Sequence, residues 1–152
     1  MDVLRKRLSA AMDGRLPGLF GVELLSIEHG ATETRLELKE EHLAPNDFLH
    51  AGTVITLADT SAGMGCLASL PEGAVGFTTI ELKTNFLATA REGALRCSAR
   101  LVHGGGRTQV WDATVIREHD ERVIALFRCT QFILPGDDER TERQRQNAGE
   151  AA

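Results

Sequence analysis

Apolar and polar residues alternate along most of this chain with two different periods. Over Ala31–Lys39 the alternation is strict: Thr34, Leu36 and Leu38 fall on one side, and Glu33, Arg35, Glu37 and Lys39 on the other. That is the period-2 signature of a strand with one face in a core. Val22–Glu28 precedes it across His29-Gly30, so the two are expected to form a hairpin. Three further strand-like runs, Val75–Leu87, Ala94–His103 and Arg107–Glu118, are separated by the turns Arg91-Glu92-Gly93 and Gly104-Gly105-Gly106. A fourth, Arg122–Leu134, follows a turn at His119-Asp120. Residues 2–13 carry helical spacing instead, with Val3, Leu4, Leu8 and Ala11 on one side, and Gly14–Gly21 is broken by Pro17 and Gly18. A polar loop, Glu40–Leu49, leads into the longest predicted helix, Gly52–Leu70, apolar on nearly all sides and stopped by Pro71 and Gly73.

The order is therefore helix, two strands, one long apolar helix, four strands. Consecutive strands imply an antiparallel sheet and the α+β class. A helix that is apolar all round must be enclosed. The expected architecture is a six-stranded antiparallel curved sheet wrapped around one long central helix, with a short N-terminal helix. Residues 1–135 are expected to form one domain. The stretch Gly136–Ala152 holds eight charged residues and no large apolar one, the composition of a disordered tail.

Composition narrows the function classes. A net charge of −5 and a pI near 5.5 argue against a nucleic-acid binder, which needs a basic face. Ala51–Leu70 approaches the length of a membrane span, but Asp59 stands at its middle among small and hydroxylated residues, so no membrane partner is expected. The N-terminus lacks the apolar segment of a secretory signal, and the chain reads as a soluble cytoplasmic domain. Cys66, Cys97 and Cys129 are odd in number, form no CxxC pair and lie in apolar periodic segments; they read as buried, reduced side chains. His29, His42, His50, His103 and His119 show no ligand spacing, so no metal site is expected. Trp111, inside a strand, reads as core.

One residue stands out. Asp59 is the only charged side chain between Gly52 and Leu70, and a carboxylate in so apolar an element costs several kcal/mol unless something offsets it. Either it touches solvent or a neighbouring strand, or it is a general base or nucleophile in a partly dry cleft. Upstream, Pro45-Asn46-Asp47-Phe48-Leu49-His50-Ala51-Gly52 ends at a helix N-terminus, whose unpaired N–H groups and positive dipole suit a developing oxyanion. His50 and Gly52 also have structural readings, as helix start and tight turn, and the Asn46 amide can donate to a carbonyl or position a water. Gly52 and Asp59 lie seven residues apart, about 10 Å along a helix axis, too far for one carbonyl to meet both. A second, antiparallel copy across a two-fold axis closes that gap. If the site is real, the protein is a dimer.

At these residues the sequence resembles the hotdog-fold acyl-CoA thioesterases of the phenylacetate-degradation type. The resemblance runs from Val22 to Leu134 and is most specific at Asn46…His50-Ala51-Gly52-Thr53…Leu57-Ala58-Asp59-Thr60, followed by Gly76-Phe77-Thr78-Thr79-Ile80-Glu81-Leu82-Lys83-Thr84-Asn85-Phe86-Leu87. It implies a homodimer with a continuous sheet, commonly paired into a homotetramer. It also implies hydrolysis of an acyl-CoA substrate to a free acid and coenzyme A, with no separate cofactor. By position, Asp59 would be the catalytic carboxylate, the Ala51 N–H the oxyanion donor, Asn46 an assistant at the carbonyl or water, and Thr79 a holder of the attacking water. The relatives' usual His-Gly-Gly reads His50-Ala51-Gly52 here; the donor is kept, and a negative φ at Ala51 is required for it to be unstrained. For the coenzyme's phosphates the candidates are Arg91 and the turn Gly105-Gly106-Arg107. A non-catalytic acyl-CoA-binding or sensing module on the same fold is the alternative, and a carboxylate at Asp59 with an amide at Asn46 favours the enzyme over it. A hotdog hydratase would be expected to pair a carboxylate and a histidine in one segment, and the long helix contributes Asp59 alone. A purely structural interaction protein remains a third reading.

Overall fold

The alternation in the sequence becomes one curved sheet whose inner face is sealed by a helix. The computed structural model describes residues 2–136. In chain order it contains α1 (Asp2–Met12), α2 (Leu16–Phe20), β1 (Val22–Glu28), β2 (Ala31–Glu37), α3 (Ala51–Ala68), β3 (Ala74–Phe86), β4 (Ala94–Gly104), β5 (Thr108–Arg117) and β6 (Arg122–Pro135). The six strands are all antiparallel to their neighbours in the order β1-β2-β4-β5-β6-β3. Helix α3 packs against every one of them. This is the expected hotdog architecture.

Period-2 burial explains the core. Thr34 and Leu36 of β2, Leu95, Cys97 and Ala99 of β4, Trp111, Ala113 and Val115 of β5, and Phe127, Cys129 and Ile133 of β6 all point inward and are buried. They meet Val54, Leu57, Ala58, Ala62 and Cys66 of α3. The three cysteines are free and buried, as expected, and burial pushes each thiol up to about 12. Several buried polar groups are paired at the helix–sheet seam: Thr34 and Ser61 share a hydroxyl–hydroxyl bond, Ser61 donates within α3 to the Leu57 carbonyl at 2.8 Å, and the Gln109 amide donates to the Ser69 carbonyl at 2.6 Å. The last of these satisfies a carbonyl that the end of α3 leaves open.

Three local expectations need correction. The segment Gly14–Gly21 contains a helix, α2, because Pro17 falls in its first turn, where no helical N–H bond is lost. Gly21, at φ 73°, closes it in the left-handed region. On α1 the core-facing residues are Leu8 and Met12, one turn apart, whereas Val3 is 81% exposed and Ala11 lies outside. Helix α3 begins at Ala51 and ends at Ala68, one to two residues earlier than the hydropathy suggests. Gly136 remains tied to the sheet through its N–H on the Gly73 carbonyl at 2.9 Å, and the rest of the predicted tail lies outside the described residues.

One strand is unlike the others. β3 lies at the sheet edge, is 13 residues long and has no buried residue. Val75, Ile80, Leu82 and Phe86 are among its exposed side chains.

Candidate active site

The start of α3 is shaped by His50. Its backbone is extended (φ −67°, ψ 133°), and its Nδ1 accepts the Gly52 N–H at 2.8 Å. The His50 carbonyl accepts the Thr53 and Val54 N–H groups. A Cβ on residue 52 would lie 2.9 Å from His50 Nδ1, so a side chain there would push against the folded-back imidazole. Of the first-turn donors only the Ala51 N–H has no partner among the described residues, and Ala51 is exposed. Ala51 is not among the residues with positive φ, which apart from glycines are Asp47 and Glu121. Alanine is therefore unstrained at this position, where the resemblance leads to the expectation of glycine.

A buried histidine, named above only for its lack of ligand spacing, fixes this loop. His42 stacks on Phe20 at 5.4 Å between ring centroids, and its Nδ1 accepts the Lys39 N–H at 3.1 Å. Burial lowers its pKa, so the neutral ring is favoured. Its carbonyl accepts both the His50 N–H at 3.1 Å and the Thr53 hydroxyl at 2.8 Å. Nothing in the spacing of a lone histidine marks such a role.

Asp59 faces β3, half-buried. Desolvation raises its pKa, and a hydrogen bond from Thr79 opposes that rise. Thr79 Oγ1 lies 3.2 Å from Asp59 Oδ1 and 2.9 Å from the terminal amide of Gln131. The structure thus brings Thr79 to the carboxylate itself. Gln131 is fully buried, and its other terminal atom lies 3.3 Å from Cys129 Sγ. The sequence contained a signal for it: Phe127, Cys129 and Ile133 are inward and apolar, and Gln131 shares their parity.

Other candidates are not brought together. Ala51 and Asp59 remain two turns apart on α3, about 12 Å along the axis. Asn46 is exposed, and its Oδ1 accepts the Phe48 N–H at 3.4 Å in a tight turn, with no contact to Asp59. Arg91 stacks its guanidinium 5.5 Å above the Phe48 ring, and Thr89 Oγ1 accepts the Leu49 N–H at 3.1 Å, so Arg91 stands at the end of the molecule where α3 begins. It lines a cavity of about 340 Å³ with Thr89, Arg117 and His119. Arg117 there is committed to Asp120 and the Thr89 carbonyl. Gly105 and Gly106 line a second cavity of about 380 Å³ with Ser69 and Leu70, where α3 ends. Arg107 follows them in the β4–β5 turn, its carbonyl accepting the Ile133 N–H. β4 is 11 residues long, so its ends stand roughly 34 Å apart. Arg91 and the glycine turn of one chain cannot hold the same phosphate. Among the described residues no group of three or more His, Cys, Asp or Glu side chains is placed to hold a metal ion, and no helix is long and apolar enough to cross a membrane.

A six-stranded antiparallel sheet wrapped around one long helix defines a class of protein, the hotdog fold, and comparison with known proteins agrees. The thioesterase superfamily model matches residues 46–124. A 1,4-dihydroxy-2-naphthoyl-CoA hydrolase from Listeria monocytogenes is 32% identical over 110 residues, covering 72% of this chain and 88% of the relative. An Escherichia coli protein of the same name is 27% identical over 128 residues, covering 84% and 92%. Among solved structures, a conserved protein from Pseudomonas aeruginosa superposes with a TM-score of 0.75 at 28% identity, covering 82% of this chain and 98% of that one. The E. coli PaaI protein from the phenylacetic acid degradation operon shares the fold at a TM-score of 0.77 and 20% identity, covering 88% and 96%. The chain belongs to the thioesterase superfamily.

Proposed function

We propose that the protein hydrolyses an acyl-CoA thioester to a carboxylic acid and coenzyme A, in sites shared by two copies of the chain. The observation that carries this reading is the pairing of a half-buried Asp59, its pKa raised by desolvation, with an unpartnered N–H at Ala51. In the proposed dimer the thioester carbonyl oxygen of the substrate accepts the Ala51 N–H of one copy. Asp59 of the other copy takes a proton from water, whose oxygen attacks the carbonyl carbon. The tetrahedral oxyanion collapses, the C–S bond breaks, and the departing thiolate takes the proton from Asp59. A carboxylate with raised proton affinity suits the base role. The Asn46 amide N–H₂ and Arg91 are proposed to meet the acyl carbonyl region and a coenzyme phosphate, with the Gly105-Gly106-Arg107 turn receiving phosphate from the opposite end.

The second copy is proposed to add to β3. A 13-residue edge strand exposing Val75 (68%), Ile80 (58%) and Phe86 (48%) is a template for pairing unless covered. Antiparallel pairing of β3 with its own copy continues the sheet and sets the two α3 helices antiparallel. Pairing of two such dimers into a tetramer is the further expectation.

The substrate class proposed is an aromatic acyl-CoA. The support is the similarity to the two naphthoyl-CoA hydrolases above, whereas the likeness to the phenylacetic acid operon protein extends to fold alone. The test is free-thiol release from a panel containing 1,4-dihydroxy-2-naphthoyl-CoA, phenylacetyl-CoA and straight-chain acyl-CoAs. Turnover on the aromatic thioesters that disappears in Asp59→Asn supports the reading. Tight binding across the panel without thiol release identifies the non-catalytic sensing module instead.

A further inference from the structure

The contacts around Thr79 contain a conflict of proton count. A hydroxyl carries one proton, yet Thr79 Oγ1 sits within hydrogen-bond distance of both an Asp59 carboxylate oxygen, at 3.2 Å, and the Gln131 amide, at 2.9 Å. As placed, the amide turns Oε1 to Thr79 and Nε2 to Cys129 Sγ; that proton is then claimed twice, and one contact sets two oxygens face to face. Turning the amide over resolves this, because its oxygen and nitrogen occupy equivalent positions. Nitrogen then donates to Thr79 Oγ1, and the Thr79 proton goes to Asp59. The amide oxygen meets Cys129, whose thiol keeps its proton because burial pushes it up to about 12, and the S–H donates to it. Every group in the chain is then satisfied: Cys129 to Gln131, Gln131 to Thr79, Thr79 to Asp59.

We propose that Gln131 is a positioning residue of the site, its amide N–H₂ holding the Thr79 hydroxyl so that its single proton is committed to the Asp59 carboxylate. The consequence for hydrolysis rests on the function proposed above; the hydrogen-bond direction does not. Gln131 is fully buried on β6, opposite Thr79 in the β3–β6 register. It is closed off from solvent. A donor chain pointing at Asp59 polarises the last hydroxyl and aims the positive end of an amide dipole at the carboxylate. The other titratable groups around this chain are Cys129 on β6, Cys66 on α3, and Glu81 on β3, which acts on Cys129. Both thiols are neutral across the working range.

The direction of the dipole can be read from the sign of a shift. In Gln131→Met, a near-isosteric apolar replacement, loss of the donor should move the Asp59 titration midpoint upward, by roughly half a pH unit. The probe is the ¹³C resonance of the Asp59 carboxyl in the intact protein, which needs no activity. Thr79→Val, on the half-buried edge strand, should move it upward as well. In the Thr79→Val background Gln131→Met should then add less, because Gln131 acts through Thr79. Thr79→Ser should restore the wild-type midpoint. A downward shift in Gln131→Met would mean that the amide oxygen had been drawing the Thr79 proton away, and it would overturn the proposal. An unchanged midpoint would overturn it too. The acid limb of the kcat/KM profile separates this inference from the catalytic reading. A resonance that moves upward beside an unmoved acid limb leaves the chain standing and removes Asp59 as the base.

Discussion

Ala51→Pro is an unusually clean subtraction in this structure. Ala51 is the first residue of α3, following His50 as its N-cap, and a helix tolerates proline there because that N–H has no intrahelical partner. The residue before a proline must be extended, and His50 already is, at φ −67° and ψ 133°. The capping bond from Gly52 N–H to His50 Nδ1 is untouched. The substitution therefore removes one N–H donor and little else. If that donor holds the oxyanion, kcat should fall by about 10²–10³, with circular dichroism and thermal midpoint close to wild type. The assay is thiol release from the best acyl-CoA of the panel. A folded Ala51→Pro protein with wild-type kcat would refute the oxyanion assignment.

The same variant tests whether the site is shared. Ala51 and Asp59 are about 12 Å apart along α3, and a reacting carbonyl needs both within about 3 Å of the reacting atoms. Ala51→Pro and Asp59→Asn, each inactive alone, are unfolded together and refolded as a mixture. Each mixed dimer then has one site with both lesions and one with neither. Random pairing makes about half the dimers mixed, so about a quarter of wild-type activity should return, by the symmetry of a two-fold site. If each site came from one chain, every site in the mixture would carry a lesion, and activity would stay at background despite demonstrated subunit exchange.

Three other outcomes follow from the structure. Asp59 has a raised folded pKa, so as pH rises through the window between its unfolded and folded values the unfolded chain releases its proton first and wild-type stability falls. Asp59→Asn should therefore melt higher than wild type at neutral pH, and the difference should vanish in acid below the ordinary carboxylate range; equal melting at both extremes would contradict the desolvation reading. Gly65→Ala should destabilise by about 1–3 kcal/mol in urea titrations, despite the helix-propensity gain of up to ~1 kcal/mol, because its Cβ would lie 2.6 Å from the buried Trp111 ring. Gly63→Ala, which meets only the tip of the half-buried Phe77 ring at 2.9 Å, should cost less. Ile80→Lys, placing a charge on the exposed edge strand, should shift light-scattering mass toward the monomer and lower activity with it; an intact dimer would locate the interface away from β3.

The fold could be read in the sequence wherever burial follows a simple period. β2, β4, β5 and β6 alternate inward and outward, and α3 is apolar nearly all round because the sheet encloses it. What escaped was set by context. Pro17 reads as a breaker unless its place in the first turn of α2 is known. The face of α1 turns on Met12 rather than Ala11, a choice made by the surface it meets. At the site, Asp59 was legible because a single charge in an apolar helix needs a reason. The choice of Ala51 over Gly52 as free donor comes from the resemblance and not from spacing, and its physical ground is the rotamer that folds His50 back onto Gly52. Gln131 becomes visible only once the inward parity of β6 is fixed.

Three features of the isolated chain are each incomplete, and the proposed dimer accounts for them with one contact. The Ala51 N–H is a helix-terminal donor without an acceptor among the described residues, a state that favours an incoming oxyanion. Asp59 is held in a partly desolvated place at a cost in stability, opposed by the Thr79 hydroxyl. Among the described residues β3 leaves the outer edge of its ladder unpaired, with Val75, Ile80 and Phe86 exposed. Antiparallel addition of a second β3 would satisfy the edge, bury those side chains and carry each Asp59 toward the other chain's Ala51. The spacing of two helical turns, too long for one carbonyl to bridge within a chain, is one that an antiparallel partner helix across the proposed two-fold axis can close.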